Sequence, residues 1–186
     1  MQTYNLKSKQ PSPVSLTLAK QYLRVDASDD DEVIQNAIDS ATTFAERYTS
    51  RDLRKKTWAL TTSCFPESSD IGFVLHRNIV TAVTSIDYRS GGSLVTFPPS
   101  NYYLTQAPSW AYIDLVDGAE WPSSVDDRRD AVTITFDTNI DPRFVETVKD
   151  VLLKHVAHLY QNRGDCASSI PNNLLAMYDL MRIPRV

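Results

Sequence analysis

The hydrophobic period of this chain changes twice, and those two changes limit the fold more than any single motif does. From about Asp30 to Thr49, apolar residues recur every three or four positions: Ile34, Ile38, Ala41, Ala45 and Tyr48, with Val33, Ala37 and Phe44 widening the stripe. This is an amphipathic helix whose apolar face is broad enough for more than one neighbour. From Lys56 to Asp137 the pattern becomes short β-branched and aromatic runs: "TWALTTSCF", "IGFVLH", "VTSIDYR", "NYYLTQ", "WAYIDLV" and "AVTITFD". Pro66 to Asp70, Gly91-Gly92, Pro98-Pro99, Pro108 and Gly118 punctuate them, so the stretch predicts about five or six antiparallel strands. Helical spacing then returns in "DPRFVETVKDVLLKHVAHLYQNRGD" through Val145, Val148, Leu152, Val156 and Leu159. Asp141 before Pro142 is a start signal, and Gly164 stands where a left-handed residue ends a helix.

Shorter segments complete the order. "SLTLAKQYLRV" predicts a helix of about two turns, with Thr17 as its cap and Leu18, Tyr22 and Leu23 on one face. "NNLLAMYDLM" predicts a short last helix before the tail "RIPRV". Residues 1–13 are polar, contain two prolines and show no periodicity, which reads as a flexible arm. The expected fold is therefore α+β: a helical bundle of two N-terminal helices and a long and a short C-terminal helix, carrying an inserted antiparallel β region at about 56–137. At 186 residues, the part from 14 to 186 reads as one domain, with a C-terminal tail over 182–186.

The acidic run Asp29, Asp30, Asp31, Glu32, with Asp26 just upstream, could be a calcium loop or a helix start. A calcium loop counted from Asp26 needs Gly at the sharp turn and Glu at its close; the chain has Asp31 and Ala37 there. The run instead suits a cap, with Ser28 or Asp29 accepting the first helical N–H groups and Asp29 at capping-box spacing from Glu32. Acids in the first turn also complement the helix dipole.

Chemistry is sparse. There is no nucleophile elbow, P-loop or dinucleotide fingerprint, and only 5 glycines are present. His155, His158 and Cys166 are the one speculative ligand trio, without the second motif a zinc site needs. Asp126-Asp127 beside Arg128-Arg129 reads as a solvated turn. Cys64 and Cys166 read as free thiols. The net charge of −4 disfavours sequence-independent nucleic-acid binding. The polar N-terminus and the lack of any long apolar run read as a cytosolic product with no membrane span. No enzyme, cofactor or metal is expected. Trp58, Trp110 and Trp121 read as core and edge packing. A different class remains open: a small ligand-binding module or enzyme with an aromatic cleft lined by Tyr102, Tyr103, Trp110 and Trp121.

The order of these segments resembles the head–tail connector family of tailed bacteriophages, the adaptor or head-completion proteins. The resemblance rests on "LTLAKQYLRVD", the acidic start, "IQNAIDSATTFAERYTSR" and "TWAL". It continues through "VTAVTSIDY", "YYLTQAPSWAYIDL", "GAEWP", "AVTITF", "VAHLYQNRGD" and "LLAMYDLMRIPRV". Lys20 departs from the family, where Glu often completes a capping box. The resemblance implies a structural protein of the virion neck, assembled in the host cytoplasm as a ring under the portal, with dodecameric symmetry. Its partners would be the portal protein, the next neck or tail protein and other copies of itself, and packaged DNA would pass through without sequence-specific binding. A tail terminator, with hexameric symmetry, is the neighbouring alternative. Within this expectation the portal-docking segment is Tyr178, Leu180, Met181, Arg182, Ile183, Pro184, Arg185 and Val186, apolar residues for burial with arginines for carboxylates.

Overall fold

The two changes of hydrophobic period fall at boundaries of structural units. One unit holds residues 1–10 and 55–139, the other residues 11–54 and 140–186. The computed structural model describes residues 2–67, 72–77, 79–107, 110–165 and 169–183.

The helical unit contains α1 (Leu16–Leu23), α2 (Asp31–Thr49), α3 (Val145–Gln161) and α4 (Asn172–Asp179). The predicted stripe of α2 meets the stripe of α3: Ile34, Ile38, Ala41 and Ala45 share one core with Val148, Val151, Leu152 and Val156. Ala41 and Ala45 are fully buried, and their small side chains leave little to separate the helices. Thr42 and Thr49 are also buried, and each returns its hydroxyl to the carbonyl four residues back, at 2.7 Å, so no polar atom is stranded. α1 is capped by Ser15, whose hydroxyl accepts from the Leu18 amide at 3.2 Å, rather than by Thr17. Tyr22, expected on its packed face, is exposed, and Ala19 is the buried residue.

Both N-terminal helices end on left-handed residues that are not glycine, Arg24 (φ 59°) and Ser50 (φ 57°). The turn after Ser50 is held by Glu46. Its carboxylate accepts from the Leu53 amide at 3.2 Å and from the Arg54 guanidinium at 3.2 and 3.3 Å, with both side chains almost wholly buried. At the start of α3, Asp141 accepts from the Arg143 amide at 3.0 Å and pairs with its guanidinium at 2.7 Å. That pairing holds the Asp141 carboxyl below the usual carboxylate range. A single 3-10 turn over Pro142–Phe144 then leads into α3.

The β unit has two antiparallel sheets. One has the order β1 (Thr3–Lys9), β2 (Lys56–Thr62), β8 (Val132–Thr138), β4 (Val80–Ser90), β5 (Ser93–Thr96); the other has β3 (Phe73–Leu75), β7 (Ala111–Leu115), β6 (Tyr102–Gln106). β8 is the central strand of the larger sheet, and it carries the clean alternation seen in "AVTITFD": Val132, Ile134 and Phe136 are all fully buried. They share a core with Leu60, Ile86, Phe73, Leu75 and Ile113, drawn from both sheets. Phe65 stacks on Trp121 with centroids 5.1 Å apart, and Phe73 and Phe97 border the same indole. Gly72 is required where it stands, because a Cβ there would lie 1.9 Å from the Ile113 carbonyl oxygen.

All six predicted strands are present, and two more join them. β5 follows β4 through Gly91 and Gly92, both at positive φ, which is the turn chemistry of a tight hairpin. β1 corrects the reading of residues 1–13 as a flexible arm: Thr3–Lys9 pairs with β2 along its length, with a bulge between Leu6 and Ser8. Sequence periodicity missed it because an edge strand buries little; only Tyr4 is even half-buried. The Tyr4 hydroxyl accepts from the His76 amide at 3.0 Å, and the Arg77 guanidinium lies over the Tyr4 and Trp58 rings, 5.2 and 3.8 Å from their centroids.

Candidate interaction surfaces

Candidate interaction surfaces are read from what the side chains have left over. In the acidic run at the head of α2, Asp30 and Asp31 are used internally, while Asp29 and Glu32 are exposed. Asp30 is the N-cap residue but makes no side-chain cap bond, and neither Ser28 nor Asp29 supplies one. The expected capping box is therefore replaced by longer-range bonds. The Asp30 carboxylate accepts from the Tyr160 hydroxyl and lies 3.4 Å from the Arg163 guanidinium, which itself sits over the Tyr160 ring. Asp31 pairs with Lys20 at 2.5 Å. The family departure at Lys20 thus supplies the ion pair that ties α1 to the first turn of α2. Asp31 and Glu32 in that first turn keep the favourable dipole arrangement.

The C-terminal segment divides between core and surface. Tyr178 is fully buried and its hydroxyl is 2.9 Å from His155 Nδ1; Met181 is 1% exposed in the same core. Leu180, between them, is 79% exposed. The strand-like exit after α4 is tethered to the end of α2: the Ile183 amide donates to the Thr49 carbonyl at 3.0 Å, and Arg51 Nε donates to the Met181 carbonyl. Arg182 lies over the Tyr48 ring, and Tyr48 donates to Asp179 at 2.9 Å. Of the predicted docking residues, Leu180 and Arg182 face outward, Ile183 is half-buried, and Tyr178 and Met181 serve the interior. Pro184, Arg185 and Val186 lie outside the described residues.

The histidines take separate partners. His155 is buried against Phe44 and Tyr178, and desolvation, with His158 nearby, pushes its pKa down to about 4. Burial raises the Tyr178 hydroxyl in turn. His158 Nδ1 is 3.1 Å from the Asn162 amide nitrogen. Cys166 lies outside the described residues, and among those described no group of three metal-ligating side chains comes together.

The aromatic cleft exists in altered form. The β unit has a cleft of about 1030 Å³ bordered by Tyr103 and Trp121, but Tyr102 and Trp110 are not part of it. Tyr102 stacks on Phe97, and Trp110 donates to the Tyr112 hydroxyl at 2.5 Å. β6 turns Tyr102 and Tyr103 to opposite faces, which separates the expected quartet. The cleft's rim is acidic, from Glu67 and Asp114 to Asp127, and among the described residues no lysine or arginine lines it. Five of these carboxylates fall between residues 114 and 127, but they are interleaved with uncharged residues, and Glu67 reaches the same rim from 47 residues before Asp114. No helix among the described residues is long and apolar enough to cross a membrane.

Comparison with known proteins places this arrangement. Residues 13–96 match the family model of the phage gp6-like head–tail connector protein, which bears out the resemblance read from the sequence. The matched stretch runs from the start of the helical unit to the β4–β5 hairpin. No curated protein matches the chain. Among solved structures, a chain in the virion of a native gene transfer agent (GTA) particle is similar in fold, with a TM-score of 0.75 at 16% identity, covering 99% of this chain and 97% of that one. Chains from the neck of an empty GTA particle, computed with C6 symmetry, and of a native one, computed with C12 symmetry, give TM-scores of 0.73 and 0.71 at 17% and 18% identity. Each covers 99% of this chain and is covered to 97%. The α+β fold is thus that of a known neck component along nearly its whole length.

Proposed function

We propose that this chain is a structural head–tail connector: a non-enzymatic neck protein that forms a ring under the portal of a tailed-phage-like particle. The ring extends the DNA channel and offers a docking surface to the next neck or tail protein. The observation that carries this reading is the connector-family match over residues 13–96, and the full-length fold likeness to GTA neck chains supports it. The ring is a closed set of head-to-tail contacts, most simply of twelve copies, and DNA passes through it without base-specific contact. Portal docking falls to the C-terminal segment, led by the exposed Leu180 and Arg182 and continuing through residues 183–186.

Particles from a producing cell test this directly. They are sedimented, and the protein is located in them by mass spectrometry. Its presence in DNA-filled heads that still lack tails supports a connector; confinement to the soluble fraction while heads and tails assemble normally overturns it. Ring symmetry in images separates a twelvefold adaptor from a sixfold terminator. Deleting residues 182–186 should abolish attachment to heads while the melting temperature stays close to that of the parent; unchanged attachment removes the tail from the docking surface.

A further inference from the structure

The acidic cleft and the first strand belong to the same unit, and the chemistry of the cleft complements that of the strand's Lys9 end. Glu67, Asp114, Asp117, Glu120, Asp126 and Asp127 line the cleft. Two of these carboxylates are used internally, Asp114 by the Gly72 amide at 3.1 Å and Asp126 by the Gly92 amide at 3.0 Å. Glu67, Asp117, Glu120 and Asp127 have no hydrogen-bonded or ion-paired partner among the described residues. The floor is apolar, with Phe65 stacked on Trp121. A cleft with this lining suits a cationic segment that also carries an apolar side chain.

β1 presents such a segment. Leu6 is 46% exposed, and Lys7 and Lys9 are exposed and form no ion pair among the described residues. Lys7 stands at the bulge, where the strand turns a side chain away from the regular ladder. A chain cannot bring its own Lys9 to its own cleft. Lys9 is in register with Lys56, at the start of β2, whereas Thr3 is in register with Thr61, next to the point where β2 runs into Ser63 and Cys64 of the cleft wall. Six residues of strand separate the two ends by about 20 Å, beyond a lysine's reach.

We propose that the cleft of the β unit receives the Leu6–Lys9 end of β1 from a second copy of this chain. Because the two surfaces are different, the contact is heterologous and can propagate from copy to copy until it closes. The inference rests on the ring reading above and names the surfaces that would make the ring. It also gives the exposed thiol Cys64, in the cleft wall, a neighbour within cross-linking distance.

The test uses that thiol in assembled particles. Lys9→Cys is combined with Cys166→Ser, Cys64 is kept, and purified particles are treated with a short bis-maleimide. The expected result is a ladder of cross-linked multimers extending past the dimer and lost when Cys64→Ser is added. Charge reversal gives a second reading. Asp117→Lys with Glu120→Lys should abolish the ladder, and adding Lys7→Glu, with the cysteine kept at position 9, should restore part of it. Protein present in particles but cross-linked nowhere, only as dimers, or only to a different protein overturns the proposal while leaving the connector reading intact. Absence of the parent protein from particles overturns the connector reading itself. Lys7, Lys9, Cys64, Asp117 and Glu120 are exposed, and matching melting temperatures for the variants and parent would exclude misfolding as the cause.

Discussion

Two acidic regions of this protein, one a continuous run and the other assembled from separated positions, differ in use. At the α1–α2 junction, Asp30 and Asp31 are taken up by Tyr160, Arg163 and Lys20, so the charges knit the helical unit together. Around the β-unit cleft, Glu67, Asp117, Glu120 and Asp127 line the cleft and have no such partner among the described residues. A carboxylate with an internal partner contributes to folding; a group of unpartnered ones leaves a field that another molecule can answer. Density of charge along the chain does not distinguish these cases. Partners do, and two of the three at the first site, Tyr160 and Arg163, arrive from more than a hundred residues away.

The comparison is open to attack where carboxylates matter most. Glu46 is the extreme of an internally used acid, and replacing it with Ala leaves Arg54 buried and uncompensated. The expected loss is about 3–5 kcal/mol by chemical denaturation, with Arg54→Ala together with Glu46→Ala losing less than Glu46→Ala alone. A loss below that of an ordinary surface substitution would remove the pair from the account of how α2 ends.

A proton can be made to compete with the helical core in the same spirit. His155 has a folded pKa of about 4 against an ordinary 6.5. Below pH 6.5 the unfolded chain takes up a proton that the folded chain refuses, so stability falls as pH drops from 6.5 and levels off below about 4. The full difference is about 3 kcal/mol, since one pKa unit is worth about 1.4 kcal/mol. Urea titrations at a series of pH values read it, and His155→Gln should flatten that part of the profile. A parent profile already flat between pH 6.5 and 4 contradicts the burial of a neutral imidazole.

Smaller effects sharpen the contrast between the two acidic regions. Asp30→Ala removes the acceptor of Tyr160 and should cost roughly 1 kcal/mol of stability. Asp29→Ala, which a capping box would make the costlier change, should cost less than Asp30→Ala because Asp29 makes no cap bond. In the cleft, Asp117→Asn with Glu120→Gln should shift stability by no more than about 0.5 kcal/mol in either direction. A large loss there would mean those carboxylates are internally used after all, and the two regions would cease to differ.

Much of this was readable in advance, and the reasons are local. The helical stripe of α2 and the alternation of β8 are patterns of burial, and burial repeats with the period of the element that causes it. Ile34, Ile38, Ala41 and Ala45 stand at helical spacing for that reason, and the apolar residues of "AVTITFD" alternate for the same one. The start signal at Asp141-Pro142 and the double glycine of the β4–β5 hairpin are likewise written in neighbouring residues. The first strand was not legible. Thr3–Lys9 buries almost nothing, so it carries no period, and its place is set by β2 fifty residues later.

Side-chain destinations required the fold. Tyr178 and Met181 looked like docking residues because they sit near a terminus beside arginines, yet both are consumed by the helical core. Tyr102 and Tyr103 looked like one site, and the pleat of β6 turned them apart. By itself the sequence determined the alternation of helical and β segments, because hydrophobic period is a property of adjacent residues. Only the tertiary structure decided which charges are paired and which remain for a partner. Pairing depends on distance in space, and loop closure brings together residues whose separation in sequence carries no trace of it.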